Sequence, residues 1–180
     1  LHARPLAAAQ VPAADDTMIL QHLIAGLADR MAMRFLTADT VDPALFPALA
    51  KAMDAVGRTL WPDLHVAEPL EYILVARNVR GLTPGVFSFN SDGLKTLVAN
   101  IDTSRLVDMV LQPEFADAPA LVLVTGSLER ALATHKSHGH RLLLERSGAA
   151  CEAGWLEAVR QGYGGSIFAG FLPSALKEML

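Results

Sequence analysis

The sequence predicts an α+β fold, and three observations predict it. Helical and strand-like periodicities alternate along 180 residues with no internal repeat. The middle of the chain carries a Gly81-Leu-Thr-Pro-Gly85 turn between two strand-like runs, which marks an antiparallel hairpin. The last third holds one long helical pattern rich in small residues, then Tyr163-Gly-Gly165 and a short apolar stretch.

The elements follow in order. Residues 1–15 are rich in Ala and Pro and read as an extended lead-in, with a single domain over 16–180. Asp16 is placed as the N-cap of a helix running to about Arg30, with Ile19, Leu23 and Leu27 on its apolar face. After a connector over 35–42, Asp42-Pro43 starts a second helix whose Leu45, Leu49, Met53 and Val56 recur at spacings of four, four and three. Residues 61–69 read as a loop, 70–75 as a strand, and 86–89 as its alternating partner. A helix is expected over 103–112 and a buried central strand over 120–124. Ser127 is placed as a helix cap, and the His-rich stretch 135–140 as a loop before the long helix. A strand over 164–171 and a short helix over 173–180 complete the chain.

Small residues at Ser147, Gly148, Ala149, Ala150, Ala153 and Gly154 let another backbone or a flat ligand approach the long helix closely. Gly164 and Gly165 free backbone N–H groups to approach a planar or anionic group. Hydrophobic residues make up 52% of the chain. The longest aliphatic run, Ala118-Pro-Ala-Leu-Val-Leu-Val124, is far below the ~20 residues of a membrane helix. The apolar excess therefore points to a partner chain, as a homodimer or hetero-oligomer, and not to a membrane.

A net charge of −4 with only 15 Lys and Arg, and no basic stripe, argues against nucleic acid as a partner. One cysteine, Cys151, excludes an internal disulfide and a cysteine-cluster metal site. The amino end shows no export signal, which makes the cytoplasm the expected location. The chain begins at Leu1 and not at Met, so a trimmed or processed chain is an open alternative. His135, His138 and His140 with Lys136 and Arg141 form the densest titratable cluster. With no acidic residue nearby in sequence, it reads as a basic surface loop, and no metal is assigned. Neither a dinucleotide fingerprint, a Walker loop nor a nucleophile elbow is present.

Arg30-Met-Ala-Met-Arg34-Phe35 followed by the second helix, Pro69-Leu-Glu-Tyr-Ile-Leu-Val75, Gly81-Leu-Thr-Pro-Gly-Val-Phe87 and the glycine pair stand in an order that resembles the nitroreductase superfamily over residues 19–180. The two central motifs are most similar to its azoline dehydrogenase branch, which oxidises heterocycles in ribosomally made peptides. The resemblance implies a mixed or antiparallel sheet flanked by helices, with the long helix at a dimer interface and FMN bound there. It implies that Arg30, Ala32 and Arg34 take the flavin phosphate and ribityl side, with Gly164 and Gly165 against the ring, and that Lys136 assists proton transfer to a small or peptidic substrate. Two arginines four apart also describe an ordinary solvated helix face.

This chain departs from the pattern at named positions. Ala32 stands where the signature has serine, and Ser137 where the branch has tyrosine. Glu152-Ala153 replaces a Gln-Asn pair, and Asp63-Leu-His-Val-Ala-Glu68 replaces a Ser-x-Gly segment. No counterpart of the family's terminal basic strand is visible. Two functions are therefore expected as alternatives: an FMN-dependent oxidoreductase, or a cofactor-free domain serving as a structural or peptide-binding partner.

Overall fold

The computed structural model describes residues 14–179. The lead-in expected over 1–15 lies outside them except for its last two residues, which already belong to helix α1 (Ala14–Ala25). Asp16 sits inside the first turn of α1, not at its cap. Its carboxylate accepts from Arg58 Nε at 2.8 Å and Nη2 at 2.6 Å. A bidentate, charge-assisted pair outcompetes a backbone N–H for the same oxygens. The helix stops at Ala25, short of Arg30, and Gly26–Asp29 tighten into a 3-10 turn. Leu23 is buried while Leu27 is exposed.

Asp42 and Pro43 form the entry to helix α2 (Leu45–Leu60). The Asp42 carboxylate accepts from Ala44 N–H at 2.9 Å and its carbonyl from Leu45 N–H at 3.1 Å. The predicted Leu45, Leu49 and Met53 are buried, with Phe46, Ala50, Ala52 and Ala55 completing the face. Residues 61–69 are not a loop. Helix α3 (Pro62–Ala67) occupies them, started by a proline whose fixed φ suits a first turn. Arg146 donates to the carbonyls of Leu64 at 3.1 Å and Glu68 at 2.6 Å. That tertiary capping closes an end of α3 which the local sequence leaves open.

Strands β1 (Glu71–Ala76), β2 (Gly85–Asn90), β3 (Gly93–Ala99) and β4 (Ala120–Thr125) form one antiparallel sheet in the order β3-β2-β1-β4. The register pairs Tyr72 with Phe89 and Val124, and Leu74 with Phe87 and Val122. These residues face α2, with Phe46 and Phe89 ring centroids 5.8 Å apart. Val75, Val86 and Leu121 point the other way, onto Leu106, Met109 and Phe115. Both faces of β1 are thus covered, which explains its unbroken apolar run.

Four readings of the middle and end of the chain are corrected. Strand β3 was not anticipated; its turn is set by Asn90, whose Oδ1 accepts from the N–H groups of Asp92 at 2.8 Å and Gly93 at 3.2 Å. Strand β4 lies at the edge of the sheet among the described residues, not at its centre. The stretch 164–171 is no strand but a strap. Ladder pairing reaches only Gly165, against Ala32, and Phe171, against Val110. The helix expected over 103–112 is a 3-10 turn, Thr103–Met109, capped by Asp102.

Helix α4 (Leu128–His135) has its Ser127 cap as expected, Oγ accepting from Arg130 N–H at 3.2 Å. The His-rich stretch is ordered as helix: His135 ends α4, residues Lys136–His138 form a 3-10 turn, and Gly139 opens helix α5 (Gly139–Arg160). A Cβ on Gly139 would collide with the Ala131 carbonyl, so the α4–α5 corner requires glycine. Ala150, Ala153 and Gly154 are buried, and a Cβ on Gly154 would strike Met53 of α2. The small residues of α5 therefore serve first to seat α2. Helix α6 (Pro173–Met179) closes the described chain. No helix among the described residues is long and apolar enough to cross a membrane.

Candidate functional site

A cavity of about 590 Å³ opens where the C-terminal half of α5, the buried face of α2, the start of β4 and the strap meet. That volume lies inside the ~300–1,000 Å³ range of small-molecule sites. Its walls are mainly apolar, including Leu45, Phe46, Leu49, Val122, Ala158 and Phe168. Polar groups are few: Thr37, Asp39, Thr40, Cys151, Tyr163 and Ser166. No Lys or Arg lines it among the described residues.

The strap is held by main-chain bonds. Met33 N–H donates to the Gly165 carbonyl at 3.0 Å, and Leu111 N–H to that of Gly170 at 2.7 Å. Tyr163 Oη accepts from Asp42 N–H at 3.2 Å, tying the strap to the entry of α2. Phe168 stacks on Phe115 with centroids 4.6 Å apart.

The structure brings five of the six sequence-predicted residues together. Ala32 bridges Gly165, and Gly164 and Gly165 both line the cavity. Arg30 and Arg34 lie on the same segment, on either side of the cavity-lining Met33. A Cβ on Gly164 would strike Met33, whereas one on Gly165 would meet Trp155 Nε1 at 3.6 Å, an ordinary contact. A Cβ on Gly164 would thus displace the thioether end of Met33, a flexible side chain that is 38% exposed.

The sixth, Lys136, stands elsewhere. It precedes α5, whose 22 residues separate it from the glycine pair; at ~1.5 Å per residue that is roughly 30 Å. Lys136 Nζ donates to the Ala133 carbonyl at 3.2 Å.

Arg30 and Arg34 are both committed to carboxylates. Arg30 Nη1 donates to Glu152 Oε1, and its guanidinium lies 5.3 Å from the Trp155 ring centroid. Arg34 Nε donates to Glu114 Oε1. The Glu114 carboxyl is held below its ordinary range by a main-chain hydrogen bond first and by Arg34 next.

Three cavity residues were not singled out in the sequence for a role here: Trp155, Cys151 and Tyr163. Trp155 Nε1 is buried and has no hydrogen-bond partner among the described residues, which is unusual for an indole N–H. Its position one turn after Glu152, amid small residues, was the available signal. Burial pushes the Cys151 thiol up, so it stands as a neutral thiol.

A second, more open cleft of about 770 Å³ includes Asp54, His65 and Tyr72 in its lining. Tyr72 Oη donates to Asp54 Oδ1 at 2.7 Å. Burial, reinforced by Asp54, pushes the phenol far up, and burial pushes the His65 imidazole down. Among the described residues no three His, Cys, Asp or Glu side chains are placed to hold a metal.

Comparison with known proteins gives the same fold. The model described as "Nitroreductase family" matches residues 27–180. Among solved structures, the chain is similar to one from Anabaena variabilis assigned provisionally as a nitroreductase. That match has 20% identity and a TM-score of 0.65, and covers 81% of this chain and 32% of the other. The chain therefore spans about a third of that protein's length, and at this identity the likeness concerns the fold alone. A search among curated proteins finds no match.

Proposed function

Because the chain belongs to the nitroreductase family, we propose that it is a flavin-type oxidoreductase subunit whose cavity beside Trp155 receives the flat ring system of the flavin. The observation that carries this reading is the largely apolar cavity of about 590 Å³ that Trp155 and the Gly164–Gly165 strap wall together. A flat ring system fits such a space, with Phe46, Leu49 and Phe168 excluding water from its faces.

The residues fit the ring part of FMN. They do not fit its phosphate, since Arg30 and Arg34 are each neutralised by a carboxylate. When bound, the flavin would supply hydride exchange with substrate; the protein supplies orientation and a dry site. Cys151, a neutral thiol, contributes packing and no nucleophile. Lys136 enters this proposal only through a second copy of the chain, since α5 separates it from the cavity in its own chain. A homodimer is accordingly part of the proposal, supported by exposed Ile24, Leu27, Met31 and Phe35 beside the site-forming segment. The substrate class we assign is a small or peptide-derived heterocycle, on the strength of the Pro69–Val75 and Gly81–Phe87 motifs, which build β1 and the turn into β2.

A single-tryptophan variant tests the reading. Trp61→Phe leaves Trp155 as the one indole, and titration with flavin should quench its fluorescence saturably. Unquenched emission in a folded protein would remove the ring from this cavity.

A further inference from the structure

We infer that this cavity selects an unphosphorylated, uncharged flavin over FMN, because no Lys or Arg among the described residues lines it and the arginines on the segment beside it are paired with the chain's own carboxylates. The inference rests on the flavin reading above and specifies its ligand.

Charge bookkeeping around the site is one-sided. Arg30 pairs with Glu152 and Arg34 with Glu114. Two further arginines border the cavity through their backbones. Arg80 N–H donates to the carbonyl of the lining residue Val41 at 2.9 Å, and Arg77 N–H to that of Pro119 at 2.9 Å. Their side chains are also matched, Arg80 to Asp42 at 3.1 Å and Arg77 to Asp117 at 3.5 Å. Four guanidinium groups thus face four carboxylates, and Asp39 in the cavity wall adds one more negative charge. Among the described residues, a dianion entering here meets no lining cation.

Exposed ion pairs are individually weak, so pair strength does not decide the outcome. The charge sum does. Glu152 and Glu114 remain beside any phosphate that borrows an N–H from Arg30 or Arg34, and like charges at such separations repel. An arginine fork surrounded by neutral amides attracts a phosphate, whereas one already carrying a carboxylate offers it hydrogen bonds without net charge. Glu152 is the decisive residue: its carboxylate accepts from Arg30, whose guanidinium lies over the Trp155 ring of the cavity wall. The neutral ring and sugar-alcohol chain of riboflavin meet no such penalty, because they carry no charge for Asp39 or the paired carboxylates to repel, and the remaining walls are mainly apolar.

Riboflavin and FMN are titrated separately into the wild-type chain and into Glu152→Gln and Glu114→Gln, singly and combined, following flavin fluorescence polarisation. Circular dichroism of each variant confirms folding. The expected wild-type result is riboflavin bound about ten-fold or more tightly than FMN, the scale of one unfavourable charge contact. The double variant should gain about ten-fold for FMN while its riboflavin affinity stays within about two-fold. FMN bound as tightly as riboflavin by the wild type, or a ratio unmoved by the double variant, overturns the inference and leaves the flavin reading standing. Binding of neither flavin removes both. The wild-type ratio alone decides the matter should a variant fail to fold.

Discussion

The Arg30 guanidinium lies over the Trp155 indole, 5.3 Å from its ring centroid. The same group reaches Glu152, one turn earlier on α5. Through this contact the segment that precedes α2 is tied to the wall of the cavity, and the tie depends on the ring, not on its N–H. That separation of roles yields a mutational test.

Trp155→Phe keeps an aromatic face beneath Arg30 and deletes the buried unpaired donor. Ligand-free stability should be unchanged or slightly raised, because a buried donor without a partner is itself destabilising. Riboflavin affinity should fall by about 0.5–1.5 kcal/mol, the scale of one aromatic contact, because phenyl offers the ring a smaller face. Thermal melts with and without riboflavin measure both. A variant that binds riboflavin as well as the wild type would show that the indole does not contact the ligand.

Glycines of α5 should differ sharply in tolerance. Gly139→Ala sets a methyl against the Ala131 backbone carbonyl, which cannot move aside. It should cost about 3 kcal/mol, the upper part of the overpacking range. Gly154→Ala meets the terminal methyl of Met53, which can rotate away, and should cost under about 1 kcal/mol. Urea denaturation ranks the two, and equal costs would contradict the corner geometry.

Assembly is tested at Gly148, whose Cβ position is open in the single chain and which lies four residues from exposed Leu144. Gly148→Leu should leave the monomer fold intact, seen by circular dichroism, while dissociating the dimer seen by light scattering. A wild-type chain that is monomeric at micromolar concentration would refute the proposed dimer.

The Asp16–Arg58 pair makes a pH-dependent contribution. Its hydrogen bonds to Arg58, outweighing burial, hold the Asp16 carboxyl below its ordinary value of 3.8. A depressed folded value means that the contribution is complete above that ordinary value and disappears as pH falls through the lower folded one. Arg58 is 43% exposed, so Asp16→Asn should cost only about 1 kcal/mol at neutral pH. The gap between variant and wild type should close in strong acid; a constant gap from neutral pH into strong acid would disprove the linkage.

Legibility in the sequence followed locality. Helix α2 was readable because Leu45, Leu49 and Met53 carry its periodicity within one segment, and Ser127 because capping is a local bond. Helix α3 was not, since Arg146 completes it from 82 residues away in the chain. Asp16 was misassigned as a cap for the same reason: its partner, Arg58, is a tertiary neighbour. Strand β3 was legible in principle from Asn90-Ser-Asp-Gly93 but was missed because its outward face is largely polar or exposed. At the site, the structure sets Ala32 against Gly165, two segments far apart in the chain. The pairing of both arginines with Glu152 and Glu114 could not be read, because neither carboxylate is near its arginine in sequence.

The central claim, that a flavin ring occupies the cavity beside Trp155, is tested most directly by the visible absorption spectrum of the 180-residue chain after incubation with riboflavin and removal of free ligand by gel filtration. The account predicts that the flavin band travels with the protein in a fixed stoichiometry and is lost with bulky substitution of Gly165, which faces Trp155 across the cavity wall. Folded wild-type protein that emerges colourless would contradict it.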